Sequence, residues 1–542
     1  MDQTHDLDTL MGYMGDFGKY QAWQFFLHIL SAATAGLNML SLVTVAAVPD
    51  HRCQIPDEDD TVFNNTLLSD YMQYLPNGAL DRCQYLNVTT NETVRCNSWV
   101  YDDTYYKSSR AIEWNFVCDQ RWMGAVAQSM YMFGVFTGAV TLGNMADKYG
   151  RKPVFCWSAV LQVVIGVGVA FSPNYYSFII TKFLHGIFGS AGSYIPGFVL
   201  TMELVGSSKR SMCGIAFQAV FAFGIMLVAA WGALIKDRVL LQVIYGCHAI
   251  ILLGHFWLMD ESPRWLWANG RKKEAVNIIT KALKMNNSSV SVDPTSFLDK
   301  NPEVQKQEQP EEAGMLDLFR QPRLRKMALN VCLAWFANSL VYYGLSLNTG
   351  SLQGNPYLIL FVMGMVELPS YVLTVYIMDR LGRRSITSFN MIVGSICCIL
   401  AANLAAGSSL SNWFVFIGKF LIASSFAVVY NYSAELFPTV IRNSAMGLGS
   451  MCARLSGALT PLIMLFDSFD PKLPSNIFAV IALVSGFLTL FLPETLDKAM
   501  PQTIEDGENF GVGDTCFTTC LGKKQKQELE GVTPNELEPL KA

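Results

Sequence analysis

The chain has 542 residues, of which 51% are hydrophobic and only 15% charged, with a formal net charge of −5. An ordinary soluble domain carries about 25% charged residues, so this composition argues against a string of soluble domains and for one large membrane body. No nucleic-acid partner is expected; the lipid bilayer is.

In chain order, residues 1–19 read as a polar, mildly acidic cytoplasmic N-terminus. They lack the basic stretch and short apolar core of a cleaved signal, so the first apolar run is expected to be retained as a span. Runs of about 20 apolar residues, enough to cross about 30 Å of hydrocarbon as a helix, then recur twelve times. The first six cover 20–47, 121–145, 153–171, 176–200, 212–234 and 240–259. The second six cover 325–346, 355–378, 385–406, 411–433, 443–467 and 475–492. This predicts an all-α membrane protein of twelve transmembrane helices in two six-helix bundles, 20–259 and 325–492, with a tail over 493–542.

Two connections are long. Residues 49–120 carry Cys53, Cys83, Cys96 and Cys118, an even set that suggests two disulfides, with three pairings open. The same loop has N-x-T sequons at Asn64, Asn87 and Asn91, the expected glycosylation sites. Matches at Asn286, Asn287 and Asn431 fall in the linker or within a span and are read as chance. Residues 260–324 form a polar linker in which "ANGRKKEAVNIITKAL" reads as a short amphipathic helix and Asp299 to Gly314 as flexible chain. Cys516 and Cys520 in the tail read as reduced thiols.

Orientation follows from the short connections. One alternating set holds Lys148, Arg151, Lys152, Lys209, Arg210, Arg380, Arg383, Arg384 and Arg442; the opposite set holds Lys236, Arg238 and Lys472. The basic-rich set is cytoplasmic by the positive-inside rule, which places both termini inside and the cysteine loop outside. Lys182 in "TKFL" and Lys419 in "GKFL", near the opposite helix ends, are expected to snorkel to the interface.

An internal repeat underlies the two bundles. "GNMADKYGRK" at 143–152 returns 232 residues later as "VYIMDRLGRR" at 375–384, so that Asp147 matches Asp379 and Arg151 matches Arg383. "ELVGSSKR" (Glu203 to Arg210) returns as "ELFPTVIR" (Glu435 to Arg442) at the same offset, and Glu261 in "DESPR" is answered by Glu494 in "LPET". Each landmark falls at a cytoplasmic helix end, where arginines can bond free carbonyls or pair with acids on neighbouring helices. Such charges, placed twice, suggest a gate that holds the two halves together on the inside while the outside is open. Parallel repeats also predict a binding pocket near the midplane.

These motifs resemble those of the major facilitator superfamily. The cysteine-bearing loop, "ESPRWLWANGR" at 261–271 and "AELFPTVIRN" at 434–443 are similar to the organic cation, anion and zwitterion transporter family within it. One departure is Val375, where the repeated motif would begin with glycine. The resemblance implies two six-helix bundles that rock about a central site.

Two intramembrane charges stand out. Arg454, in "SMCARLSGALTP", has Ala222 as its counterpart one repeat earlier, so its charge is not part of the shared scaffold and reads as a substrate contact. Glu367, in "GMVELPSYVLTVYIM", is a candidate either to neutralise Arg454 across the cavity or to attract a cationic group. Cation-selective relatives carry aspartate at the position of Arg454, whereas anion-selective ones carry arginine there and lysine at the position of Tyr371. The pairing of Glu367, Pro369 and Tyr371 with Arg454 is most similar to the carnitine-type branch. Trp335, Tyr342, Tyr430 and Tyr131 match ring-bearing positions of the family, where rings can accept an ammonium group. Gln218 and Asn38, polar residues in apolar helices, are candidate hydrogen-bonding groups.

The expected function is a plasma-membrane transporter of small organic zwitterions or cations, with an organic anion exchanger as the competing reading. No metal cluster, nucleophile–base set or "GxxxxGKS" phosphate loop is apparent. Neither an enzyme, a cofactor nor ATP-driven transport is therefore expected. Coupling to Na⁺, H⁺ or exchange is left open, and a monomer is expected.

Overall fold

In the computed structural model, residues 7–55, 63, 72–74, 80–87, 91–288, 317–348, 352, 354–404, 408–496, 498, 500–512 and 514 are described. Asn64, the 299–314 linker, Cys516 and Cys520 lie outside them.

Each apolar run forms a helix, because in hydrocarbon the backbone has to satisfy its own hydrogen bonds. The first six are α1 (Lys19–Val45), α2 (Cys118–Tyr149), α3 (Arg151–Phe171), α4 (Tyr175–Leu204), α5 (Ser208–Leu234) and α6 (Arg238–Leu258). The second six are α7 (Pro322–Leu347), α8 (Pro356–Leu381), α9 (Arg383–Asn403), α10 (Ser409–Leu436), α11 (Val440–Ser468) and α12 (Leu473–Thr489). Eleven are long and apolar enough to span a membrane; α12, at 17 residues, covers only about 25 Å. Tight turns prolong it through Leu492.

Within the first half α1 packs on α5, α2 on α4 and α3 on α6; within the second α7 packs on α11, α9 on α10 and α12. The halves meet along two seams, α2 against α11 and α5 against α8. What lies between those seams is the site.

The cysteine loop folds as two small antiparallel sheets. β1 (His51–Cys53) pairs with β5 (Trp99–Tyr101), and β3 (Leu80–Asn87) lies between β2 (Met72–Tyr74) and β4 (Glu92–Arg95). Of the three possible pairings the fold uses Cys53–Cys96 and Cys83–Cys118, and the second ties the larger sheet to the start of α2. Asn87 ends β3, and Asn91 is exposed in the turn that follows. The loop docks through Arg110, 2% exposed, whose guanidinium donates to the carbonyls of Val169, Ala170 and Ser172 at the end of α3. These are the carbonyls a helix end leaves without partners.

The opposite, linker face carries short helices. The amphipathic segment forms Lys272–Met285, packed with Leu7–Tyr13 around Leu10, Ile279 and Leu283. The tail helix Ile504–Asn509 underlies the second half, and Glu508 accepts from the backbone N–H groups of Arg323 and Leu324 at 3.0 Å each, capping α7.

Candidate functional site

A cavity of about 730 Å³, part of it open to solvent, lies between the two halves. The first half contributes Met39 from α1, Met132 and Val135 from α2, Ser190 and Tyr194 from α4, and Gln218 and Phe221 from α5. The second contributes Ser339, Tyr342 and Tyr343 from α7, Phe426 and Tyr430 from α10, and Ser450 and Arg454 from α11. Helix α4 reaches the wall through a π-turn over Ile187–Ala191, an irregularity common at functional sites, and that turn carries Ser190.

Arg454 is the charged side chain on this wall; the others are aromatic, aliphatic or neutral polar. Its Nη1 bonds Ser450 Oγ one turn earlier, and among the described residues no carboxylate pairs with it. Tyr194, Tyr343 and Tyr430 line the same space. A guanidinium in that setting has donors to spare in a planar fork, the geometry that grips a carboxylate.

Glu367 does not face it. The carboxylate is fully buried, pairs with Lys419 Nζ at 3.0 Å, and accepts from Tyr342 Oη at 2.9 Å and Tyr371 Oη at 2.8 Å. The expected pairing of Glu367 with Arg454 is therefore corrected: its partner is Lys419. The expectation that Lys419 and Lys182 snorkel to the interface is corrected too. Both are buried, Lys419 against Glu367 and Ser346 Oγ, Lys182 against Ser41 Oγ at 3.3 Å. Their helices turn these positions inward, where neighbouring hydroxyls replace water.

Of the other expected contacts, Tyr342, Tyr430 and Gln218 border the cavity. Trp335, Tyr371, Tyr131 and Asn38 do not; they stand behind its wall. Trp335 is fully buried, donates from Nε1 to Ser433 Oγ at 2.9 Å and holds the Tyr430 ring with centroids 4.2 Å apart. Tyr131 packs edge-on against His185, and Asn38 is buried in α1. Among the wall residues that the sequence reading missed are Tyr194, Tyr343, Phe221, Phe426, Ser190 and Ser450. Tyr343 had a signal, since it adjoins Tyr342; aromatics on α4, α5 and α10 look like ordinary packing residues.

A family model described as "Sugar (and other) transporter" matches residues 67–503. The organic cation transporter protein of Drosophila melanogaster is 39% identical over 527 residues, covering 93% of this chain and 95% of that one. Human solute carrier family 22 member 16 is 32% identical over 574 residues, covering 98% of each. The chain belongs to solute carrier family 22. This carrier is thus a multi-pass membrane transporter and not an enzyme. Among solved structures the proton:xylose symporter XylE, bound to 6-bromo-6-deoxy-D-glucose, superposes with a TM-score of 0.59 at 16% identity, covering 91% of this chain and 99% of that one. That likeness establishes the major facilitator fold alone.

In the carrier the repeated motifs build one structure twice on the linker face. Arg151 bridges Asp147 at 3.1 Å and Glu203 at 3.0 Å, while the Glu261 carboxylate accepts from the backbone of Arg151 and Lys152 and so caps α3. Arg383 likewise bridges Asp379 and Glu435, each at 3.0 Å, while Glu494 caps α9 through the backbone of Arg383 and Arg384. Gly150 (φ 107°) and Gly382 (φ 86°) sit in the left-handed region between the paired helices, and a Cβ at either would come within 2.5 Å of the capping carboxylate. Arg210 and Arg442 each donate from Nε to a carbonyl five residues back, Val205 and Phe437. Burial pushes the Glu261 carboxyl up, against the lowering effect of the backbone donors.

All these bonds stay within one half. Here they clamp each bundle's own helix ends; a link between the halves on this face is expected of the form that is open on the loop face. Two polar contacts that cross between the halves lie at the loop face, where Arg121 pairs with Asp467 and Tyr357 Oη donates to the Tyr105 carbonyl at 2.9 Å.

Proposed function

We propose that this carrier is a plasma-membrane secondary transporter of small organic zwitterions and cations, of the carnitine, betaine or β-amino-acid type, working by alternating access. Arg454 takes the carboxylate, and the rings of Tyr342, Tyr343 and Tyr430 take the ammonium through cation–π contacts worth about 0.5–2 kcal/mol. The observation that carries this reading is a guanidinium on the cavity wall with no carboxylate partner among the described residues and phenol rings around it. The relatives named for organic cations support an organic, nitrogen-bearing substrate.

The loop face is extracellular in this reading and both termini cytoplasmic. Two disulfides suit an oxidising compartment, and exposed Asn91 is better placed as a glycan acceptor than half-buried Asn87. The conformation is then closed outside, with the Arg121–Asp467 pair as part of the outer latch. With side chains 51% and 27% exposed, that pair is worth no more than about 1 kcal/mol. Asp467→Asn is accordingly expected to shift the balance of outward- and inward-open forms at most about fivefold, read by labelling of a cysteine introduced at the outer cavity mouth. A larger shift means that the latch holds more than a solvated ion pair.

The reading is tested by uptake of carnitine, β-alanine, tetraethylammonium and an aromatic carboxylate into cells expressing the full chain, with and without sodium. A zwitterion is expected to lead the panel. The second reading, an organic anion exchanger, is favoured by one observation: Glu367 is neutralised by Lys419 and leaves Arg454 as the charge on the wall. An aromatic carboxylate or dicarboxylate outrunning every zwitterion establishes that reading instead. Dependence on sodium identifies the coupling ion.

A further inference from the structure

We infer that Lys419 sets the charge selectivity of the carrier by masking Glu367 from the cavity. The inference rests on the carboxylate-binding reading above and names the residue that decides between substrate charges.

Glu367 would otherwise be the acid of the site. It lies fully buried on α8, and the three groups around it account for both oxygens: Lys419 Nζ on Oε1, and the hydroxyls of Tyr342 and Tyr371 on Oε2. Lys419 is held as firmly, by Ser346 Oγ, by the Tyr342 carbonyl at 3.4 Å and by the face of the Tyr342 ring, 3.2 Å below its ammonium. Tyr342 is the pivot. It borders the cavity, bonds the acid with its hydroxyl and carries the cation on its ring. An ionised carboxylate sealed from water needs a counter-charge, and here the protein supplies it. Seen from the cavity the pair is neutral, and Arg454 acts unopposed.

The pair is absent from the repeat. The position 232 residues before Glu367 is Val135 and that before Lys419 is Ile187; Lys182, in the similar stretch "TKFL" of α4, meets a serine hydroxyl and, among the described residues, no carboxylate. The clusters on the linker face were built twice because both halves need them. This one was built once, beside the substrate cavity, which points to recognition and not to scaffold. Removing the ammonium leaves a carboxylate held by two phenols behind a single ring, with a substrate cation as the nearest mobile counter-charge.

The test compares Lys419→Met, Lys419→Arg and the double variant Lys419→Met/Glu367→Gln in the full chain, measuring tetraethylammonium and carnitine uptake at matched surface level. Lys419→Met is expected to raise the tetraethylammonium-to-carnitine ratio at least tenfold, Lys419→Arg to keep the parent ratio, and the double variant to return to it. An unchanged ratio in Lys419→Met, or a gain that persists without Glu367, overturns the inference. Should Lys419→Met fail to reach the surface, the neutral double variant carries the test. Parental uptake by it supports a mask, and loss of both uptakes at normal surface level overturns it by placing the pair in direct contact with substrate. Arg454→Ala in the same panel separates the two ideas: carnitine uptake that survives it ends the carboxylate reading, whatever the Lys419 variants do.

Discussion

Alanine in place of Arg454 is expected to cut uptake of a carboxylate-bearing substrate about 100-fold or more while leaving the protein at the cell surface. A desolvated, hydrogen-bonded charge pair is worth about 2–5 kcal/mol when one partner is truncated, and about 1.4 kcal/mol is tenfold. Folding should not suffer. Ser450 on the preceding turn is the bonded partner found for the guanidinium, so its loss strands no buried acid, and a cation inside a membrane protein is a cost to stability in the first place. Lysine at the same position keeps the charge and loses the planar fork, so it should retain a measurable fraction of transport. Uptake and surface biotinylation on the same cells decide the matter. Undiminished uptake in Arg454→Ala removes the carboxylate site from this cavity.

The second large effect is expected on stability and comes in a matched pair. Arg151 and Arg383 are 12% and 11% exposed and each bridges two acids, one on its own helix junction and one at the end of a neighbouring helix. Removing one partner of a largely buried pair costs about 3 kcal/mol, because Glu203 or Glu435 is left without its cation. Arg151→Ala and Arg383→Ala should therefore lower the thermal unfolding temperature of the purified carrier by similar amounts, well outside the error of a fluorescence melting curve. Similar losses are expected because the two clusters have the same partners in the same places. A large drop from one and none from the other shows that the halves do not share this load as their geometry implies.

Much of this architecture was legible before any coordinates. The twelve spans could be read because a lipid environment imposes one strong local rule, that each crossing segment be apolar and helical throughout. The repeated charges could be read because a motif that recurs at one offset reports a structural element used twice. Arg454 could be read as exceptional because its counterpart, Ala222, is apolar.

The partners of those charges were not legible in the same way. Glu367 looked like the natural counter-ion of Arg454 because both lie in apolar helices, yet its cation is Lys419, from a helix 52 positions along the chain. Lys419 in turn looked like an interfacial lysine because "GKFL" sits toward a helix end; only the rotation of α10 about its axis turns it inward. Trp335 and Tyr430 both read as ring donors to a substrate, and packing made one the wall and the other its support. By itself, then, the sequence determined the helices, their duplication and the identity of the charges, all of which follow from local composition and spacing. Tertiary structure alone decided which charge faces the cavity and which is cancelled behind it, since that depends on the angles at which helices distant in sequence meet.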